Sequence, residues 1–117
     1  MKLIRQNGTV ATPNQAPIFA GEVRRQNLVA DGDASLVRPT AVTFEDGARN
    51  KLHRHTTDQV LATHGHGIVA TLDEELHVSP GDVVLIPAGE RHWHGAATRH
   101  DFTHLSILTP GEMVVEE

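Results

Sequence analysis

The chain is a series of short apolar stretches separated by polar or glycine-containing segments, and no window has the apolar spacing of an amphipathic helix. Many short strands between regular turn signals are typical of an all-β sandwich or barrel. Val23 is the best candidate for an inward-facing residue in the N-terminal part of the chain. The predicted strands cover residues 36–45, 52–55, 60–63, 68–72, 76–78, 83–86, 91–94 and 102–108, with further candidates at 2–5 and 19–29.

Turn signals mark the ends of several predicted strands. Residues 79–82, Ser-Pro-Gly-Asp, fit a type II turn, and residues 86–89, Ile-Pro-Ala-Gly, fit a type I turn. Residues 31–33, Asp-Gly-Asp, are also predicted to form a turn. The wholly apolar run at 83–86 is typical of a strand that is buried on both faces. After Pro110 and the following glycine we expect only a short tail.

Composition and charge narrow the class of protein. The 117 residues suffice for one domain, which we expect to span 1–117 with an N-terminal arm at 1–30 and a central core at 47–96. A net charge of −5, with no basic cluster longer than Arg24-Arg25, argues against binding to nucleic acid or to an anionic membrane. The absence of cysteine excludes thiolate metal sites and cysteine nucleophiles. Because no apolar run resembles a secretory signal or a membrane span, we expect a soluble cytoplasmic protein.

Nine histidines are an unusual number for this length, and several occur in His-x-His pairs. Side chains two residues apart in a strand lie on the same face. His53 and His55 therefore face the same way, and so do His92 and His94. Two such pairs directed into one cavity form a metal site, because imidazole nitrogens bind Mn, Fe, Ni, Cu and Zn. The alternative is a row of polar residues on the solvated face of an antiparallel sheet.

Two segments resemble the two sequence motifs of the cupin superfamily. The first motif is a glycine, a His-x-His pair, a glutamate and a further glycine. The second is a glycine, Pro-x-Gly, a histidine and an asparagine. Gln59 replaces the glutamate of the first motif, and Ala96 stands where the asparagine of the second is usual. The resemblance implies an all-β fold, an antiparallel double-stranded β-helix (jelly-roll) barrel. The matching residues are Gly47, His53, His55, Gly65, Gly81, Pro87, Gly89 and His92.

A closer likeness is carried by residues 87–96 and 103–105. These look like one group of small single-domain cupins, which includes carboxymuconolactone-decarboxylase-associated cupins and manganese-dependent bacterial hydroxynitrile lyases. The resemblance implies a small-molecule substrate and a homodimer or higher homo-oligomer, since exposed strand edges gain from cover. It also implies a divalent metal ion (Mn, Fe, Ni or Zn, with Mn favoured) held by His53, His55, Gln59 and His92.

The fourth ligand position has two candidates. Gln59 has the parity of His53 in a regular strand, whereas Asp58 would face away unless Thr56-Thr57 break the register. We favour the neutral amide oxygen of Gln59, with a water molecule in its place as a further possibility. Three histidines and one glutamine leave the +2 charge of a metal ion uncompensated. Such an ion attracts anionic ligands and acts as a strong Lewis acid.

Two further histidines are candidate catalytic residues. His94 has the parity of His92, so we expect it in the same cavity, either as a general acid or base or as a support for another ligand. His104 lies on the inward face of 102–106 and is a second candidate. Trp93 is expected to pack outward. The remaining histidines, at positions 64, 66, 77 and 100, are expected at the surface, and Val42, Phe44, Leu61, Phe102 and Ile107 are candidates for an apolar pocket wall.

These residues favour a metal-dependent lyase or decarboxylase that acts on a small organic molecule. In this hypothesis the metal polarises an oxygen atom and His94 transfers a proton. Two alternatives come from other classes: a cupin dioxygenase that uses O2, and a non-catalytic module that binds a metal or a small ligand. No sequence pattern of a serine hydrolase, a phosphate-binding loop or a dinucleotide-binding fold is present.

Overall fold

The protein is described by a computed structural model that covers residues 1–8, 11–30 and 32–116, in which nearly all regular structure is β-strand. The predicted turn at 31–33 begins outside these residues, although Gly32 within it has the positive φ of a turn glycine. The strands are β1 (Thr12–Pro13), β2 (Phe19–Ala20), β3 (Val23–Asn27), β4 (Arg38–Phe44), β5 (Arg49–Asn50), β6 (His53–His55), β7 (Gln59–Thr63), β8 (Gly67–Ala70), β9 (Glu75–Val78), β10 (Val83–Ile86), β11 (Trp93–Gly95), β12 (Phe102–Leu108) and β13 (Met113–Val115).

The strands form two large sheets and one strand pair. The larger sheet has the order β1-β3-β4-β12-β7-β10, and the smaller has the order β2-β5-β11-β8-β9. Strand β13 pairs with β6. All of these pairings are antiparallel, which confirms the all-β prediction. Within the described residues, no helix has the length and apolar content needed to cross a bilayer.

Buried apolar side chains from both large sheets meet in one core. Phe44, Leu61 and Phe102 are completely buried, and the two phenylalanine rings stack with centroids 6.4 Å apart. The predicted inward residue Val23 is also buried in this core. The ring of Phe44 also contacts His94 edge to face, with the two ring centroids 5.7 Å apart. The apolar core therefore adjoins the histidine cluster directly.

Glycine conformation decides two of the turns. The backbone N–H of Asp82 donates to the carbonyl of Ser79, and Gly81 has φ +89°, so the predicted type II turn is confirmed. The second turn is one residue later than predicted. There the N–H of Glu90 donates to the carbonyl of Pro87, and Gly89 has φ +85° at the third position. This is again a type II turn, because a positive φ at the third residue defines that turn type and glycine adopts it without strain.

Three predictions about the strands are wrong. Residues 2–5 form no strand, since the arm is held by side-chain bonds such as those of Gln26 to the backbone of Asn7 and Arg5. Strand β10 is not buried on both faces: Ile86 lies in the core, whereas Val83 and Leu85 on the opposite face are 67% and 64% exposed. The tail contains β13.

The C-terminal segment is attached to the strand that carries two histidines. Its strand β13 pairs antiparallel with β6, with Val115 opposite His53. The carboxylate of Glu116 forms ion pairs with Arg54 and Arg91. Sequence patterns could not identify this strand, because its partner lies about 60 residues earlier in the chain and its three residues are exposed.

An extra residue before β6 changes which side chains face the interior. Arg49 pairs with Gly95, and His53 pairs with His92. The chain therefore advances four residues, from 49 to 53, while its partner advances only three, from 92 to 95. Such a β-bulge reverses the alternation of side chains along the strand. As a result Asn50 is buried on the same side as His53, although the two positions have opposite parity.

Replacement of Gly67 by alanine is expected to destabilise the fold. A Cβ atom at this position would lie 2.3 Å from the ring of Phe102, which is completely buried and has no room to move. We expect a loss of about 1–3 kcal/mol in the free energy of unfolding, measured by urea denaturation. Gly65→Ala is the matched control, because its Cβ would have its nearest contact at 3.8 Å. Equal stability of the two variants would contradict this packing.

Candidate metal centre

Backbone pairing brings His53 and His92 together. The N–H of each donates to the carbonyl of the other, both at 2.9 Å, which forms an isolated antiparallel bridge between the start of β6 and the residue before β11. His55 follows on the same face of β6. Gln59 begins β7 in the larger sheet, and its side chain is buried. The candidate site thus lies where the β6–β13 pair and the start of β11 meet the first residue of β7 in the larger sheet.

The three imidazoles form a compact group. One nitrogen atom from each of His53, His55 and His92 lies within 4.8 Å of the others, which is close enough for all three to bind one metal ion. The ring centroids of His53 and His92 are 4.3 Å apart, and those of His53 and His55 are 5.1 Å apart. The structure therefore brings together the three histidines that strand parity placed on common faces.

Backbone carbonyl groups fix the tautomers of two of these rings. His53 Nδ1 donates to the carbonyl of Lys51 at 2.6 Å, and His92 Nδ1 donates to that of Glu90 at 2.8 Å. The Nε2 atom of each neutral ring then has a lone pair. The Nε2 atom of His55 is also buried and has no hydrogen-bond partner. Two nitrogen lone pairs and a third buried ring nitrogen without a partner, all within 4.8 Å of one another, suit a bound cation.

Gln59 adds an oxygen atom to this group. Its Nε2 donates to Ser106 Oγ at 2.9 Å, which directs Oε1 toward His92, where the Oε1–Nε2 distance is 3.1 Å. Both of these atoms are acceptors in the tautomer described above, so neither can donate to the other. A cation bound beside them would resolve this conflict. The donor set therefore fits a divalent metal ion of the Mn, Fe, Ni or Zn type.

Asp58, the other candidate for the fourth position, faces away from the histidines. It is exposed, and its Oδ1 accepts the backbone N–H of Ala88 at 2.8 Å. This hydrogen bond holds the turn after β10 beside the site. The geometry favours Gln59, as the strand parity predicted.

Burial keeps the imidazoles neutral. It lowers the pKa of His53 to about 3, with a smaller contribution from repulsion by His92. It also lowers the pKa of His55 to about 4 and that of His92. Neutral imidazole is the form that binds metals, so the rings need no deprotonation at neutral pH.

A second pair of histidines lies behind the first group. His104 Nε2 is 2.8 Å from His94 Nδ1, and both side chains are buried. Burial lowers the pKa of His94 well below its usual value, and that of His104 to about 3. His94 also lies within 5.6 Å of His53, measured between ring centroids. His94 therefore adjoins the predicted ligands, whereas His104 contacts His94 and has a buried Nδ1 atom without a partner.

Asn50 is a functional candidate that the sequence analysis missed. Its Oδ1 accepts the backbone N–H of His94 at 2.8 Å, and its Nδ2 lies 3.1 Å from His94 Nε2. Because an amide nitrogen only donates, this contact fits a His94 ring with at least one lone pair. Strand parity gave no signal for Asn50, since the bulge at 51–52 reverses the alternation.

A cavity of about 280 Å³ is lined by His53, His55, His94 and His104, whereas His92 is not among its lining residues. Of the predicted pocket-wall residues, Val42 and Phe44 line it, whereas Leu61 and Phe102 are in the core and Ile107 is only partly buried. Other lining residues were not predicted, among them Ile18, Phe19, Arg25, Thr40, Ser106 and Met113.

The remaining aromatic and histidine residues lie where the sequence indicated. The histidines at 64, 66, 77 and 100 are exposed. Trp93 is on the opposite side of β11 from His94, and the guanidinium of Arg49 lies over its ring at 4.0 Å. None of these residues lines the cavity.

Comparison with known proteins identifies the family. Residues 40–108, more than half of the chain, match the family model Cupin_2, described as a cupin domain. The chain belongs to the cupin family. This cupin superposes on the crystal structure of a cupin-like protein from Thermotoga maritima with a TM-score of 0.81 and 30% identity, over 90% of this chain and 85% of that one. The predicted family and barrel fold are thereby confirmed.

Two curated relatives differ in activity. The cupin is 40% identical over 111 residues to (R)-mandelonitrile lyase of Granulicella tundricola, which covers 92% of this chain and 83% of the relative. It is 33% identical over 89 residues to acireductone dioxygenase of Acidiphilium cryptum. That second match covers 67% of this chain but only 48% of the relative, about half of its length.

The buried histidines predict acid sensitivity of the metal-free protein. His104 has a pKa of about 3 when folded and about 6.5 in an unfolded chain. The unfolded state therefore takes up protons first, and stability falls as the pH drops from about 6.5 toward 3. Each such histidine contributes up to about 1.4 kcal/mol per pH unit. Urea unfolding with chelator at pH 7, 6 and 5 measures the slope.

His104→Gln is expected to reduce this slope, and His77→Gln, which changes an exposed histidine, serves as its control. An equal loss of slope in both variants would contradict the assignment of the effect to burial.

Proposed function

We propose that this cupin is a divalent-metal-dependent lyase that cleaves a carbon–carbon bond in a small 2-hydroxy compound. The observation that supports the proposal most strongly is the convergence of ring nitrogens from His53, His55 and His92 with the amide oxygen of Gln59. The 40% identity to (R)-mandelonitrile lyase favours a lyase among the reactions that this fold supports. A decarboxylase would use the same groups.

The proposed ligands include no carboxylate. When bound, a divalent ion would supply Lewis-acid polarisation of a substrate oxygen, and this donor set would leave its +2 charge uncompensated. The carbonyl oxygens of Lys51 and Glu90 accept the Nδ1 protons of His53 and His92 and so hold the orientation of both rings. We favour manganese as the ion, on the resemblance of the motif to the manganese-dependent group.

In the proposed reaction, His94 acts as the general base and then as the general acid. It borders the cavity and is neutral at neutral pH, so one of its ring nitrogens accepts the proton of a substrate hydroxyl. The carbon–carbon bond then breaks, a carbonyl group forms, and the leaving group departs with the electron pair. The protonated His94 returns the proton to that leaving group. His104 contacts the ring at Nδ1, and Asn50 Oδ1 accepts the backbone N–H of His94. The substrate hydroxyl would take the place of Asn50 Nδ2 at His94 Nε2, so that this nitrogen accepts the proton.

Removal of one proposed ligand should remove the metal. Purified His55→Ala is expected to contain far less than one equivalent of Mn after reconstitution and to be inactive, because it lacks one of three imidazoles. His77→Ala is the matched control, since it changes a surface histidine. Elemental analysis and activity toward mandelonitrile would be measured together. A full equivalent of metal in His55→Ala would refute the ligand assignment.

Replacement of His94 should separate turnover from metal binding. We expect His94→Ala to keep its metal and to lose kcat by about 10²- to 10⁴-fold, the usual contribution of a general acid or base. The measurement is steady-state cyanohydrin cleavage in parallel with metal analysis. A variant that loses its metal would show that His94 supports the metal site instead. A variant that keeps wild-type kcat would show that His94 does not transfer the proton.

A dioxygenase is the second candidate. The observation that favours it is the 33% identity to acireductone dioxygenase, a match that includes only about half of that relative. The same neutral donor set binds iron or nickel. Oxygen consumption by the iron-loaded protein with an enediol substrate would select this function, and its absence together with cyanohydrin cleavage would select the lyase.

A further inference from the structure

Arg25 places a positive charge on the wall of the cavity. It lies on β3 two residues from the buried Val23, so both belong to the inner face of the larger sheet. Its partner on β4 is Val42, and the partner of Val42 on β12 is His104. Arg25, Val42 and His104 therefore form one row across three adjacent strands. All three line the cavity.

The guanidinium of Arg25 has no protein partner among the described residues. No ion pair and no side-chain hydrogen bond involves it. The neighbouring Arg24, by contrast, has its Nε 3.4 Å from a carboxylate oxygen of Glu45. The carboxylate that borders the cavity, Glu112, is exposed and forms no ion pair with Arg25.

Burial makes this isolation unusual. Arg25 is partly buried, and burial alone lowers the pKa of its guanidinium, with no carboxylate acting in the opposite direction. A desolvated cation without a partner is unfavourable unless a ligand supplies the counter-charge. The five N–H groups of a guanidinium match the two oxygens of a carboxylate.

We propose that Arg25 binds a carboxylate group of the substrate, so that the substrate is a small 2-hydroxy carboxylic acid and the carbonyl product is a 2-oxo acid such as pyruvate. This inference rests on the proposed function, because the other end of the molecule is placed at the metal centre. Two strand spacings separate the backbones of Arg25 and His104, about 10 Å. The arginine side chain spans much of this interval, and the space that remains suits a molecule with few atoms between carboxylate and reacting oxygen.

The cavity volume agrees with such a substrate. About 280 Å³ is enough to hold a small acid. Thr40, which lines the cavity, is two residues before Val42 and supplies a hydroxyl group on the same face. The relative named (R)-mandelonitrile lyase is named for a neutral nitrile. An acidic substrate would therefore distinguish this cupin from that relative.

The test compares an anion with its neutral ester. Binding of pyruvate and of methyl pyruvate to the Mn-loaded protein would be measured by calorimetry for the wild type, Arg25→Gln, Arg25→Lys and Arg24→Gln. We expect Arg25→Gln to weaken pyruvate binding by about 10- to 100-fold and to leave methyl pyruvate binding unchanged. Arg25→Lys should weaken pyruvate binding less, because lysine keeps the positive charge but lacks the planar guanidinium that pairs with both carboxylate oxygens. Arg24→Gln removes the same charge from the opposite face of β3 and should have no effect.

Equal pyruvate affinity of the wild type and Arg25→Gln would overturn the proposal, as would equal losses in Arg25→Gln and Arg24→Gln. A wild type that binds neither compound, or binds both equally, would also overturn it. Elemental analysis keeps the two hypotheses distinguishable. If the wild type takes up no metal, the proposed function fails, whereas dependence of pyruvate binding on Arg25 in that metal-free protein would still support the anion site.

Discussion

The site depends on one electrostatic constraint: several acceptor atoms face one another in a buried space without a proton between them. The bridge between His53 and His92 fixes their backbones, and carbonyl groups hold both Nδ1 protons on the outer side. Ser106 turns the amide of Gln59 so that its oxygen faces His92. Lone pairs confined in this way repel one another, and a bound cation would convert that repulsion into attraction. The strands around the site keep the rings from turning away.

Much of the fold followed from local patterns. Period-two alternation predicted β7 and β12 closely, because both have one face in the core and the other outward, and Gly81 marked its turn through a conformation that few other residues adopt. The same reasoning failed for β10, where apolar composition indicated burial on both faces but only one face packs against the core. It also missed β13, whose place depends on a distant partner.

The candidate site shows the same division. His53, His55 and His92 were predictable because a motif and strand parity pointed to the same face, and Gln59 followed by the same parity. Asn50 was not predictable, since a bulge between it and His53 inverts the parity that the prediction relied on. The role of Arg25 as a cavity residue depended on the pairing of β3 with β4, which brings together segments that show no common sequence signal.

The attachment of β13 to β6 links the order of synthesis to the maturation of the site. The strand with His53 and His55 has its hydrogen-bonding edge covered by residues 113–115, and Glu116 fastens that cover to Arg54 and Arg91. The strand that carries two of the candidate ligands therefore acquires its last hydrogen-bonded neighbour only after residues 113–116 have been synthesised, about 60 positions later in the chain.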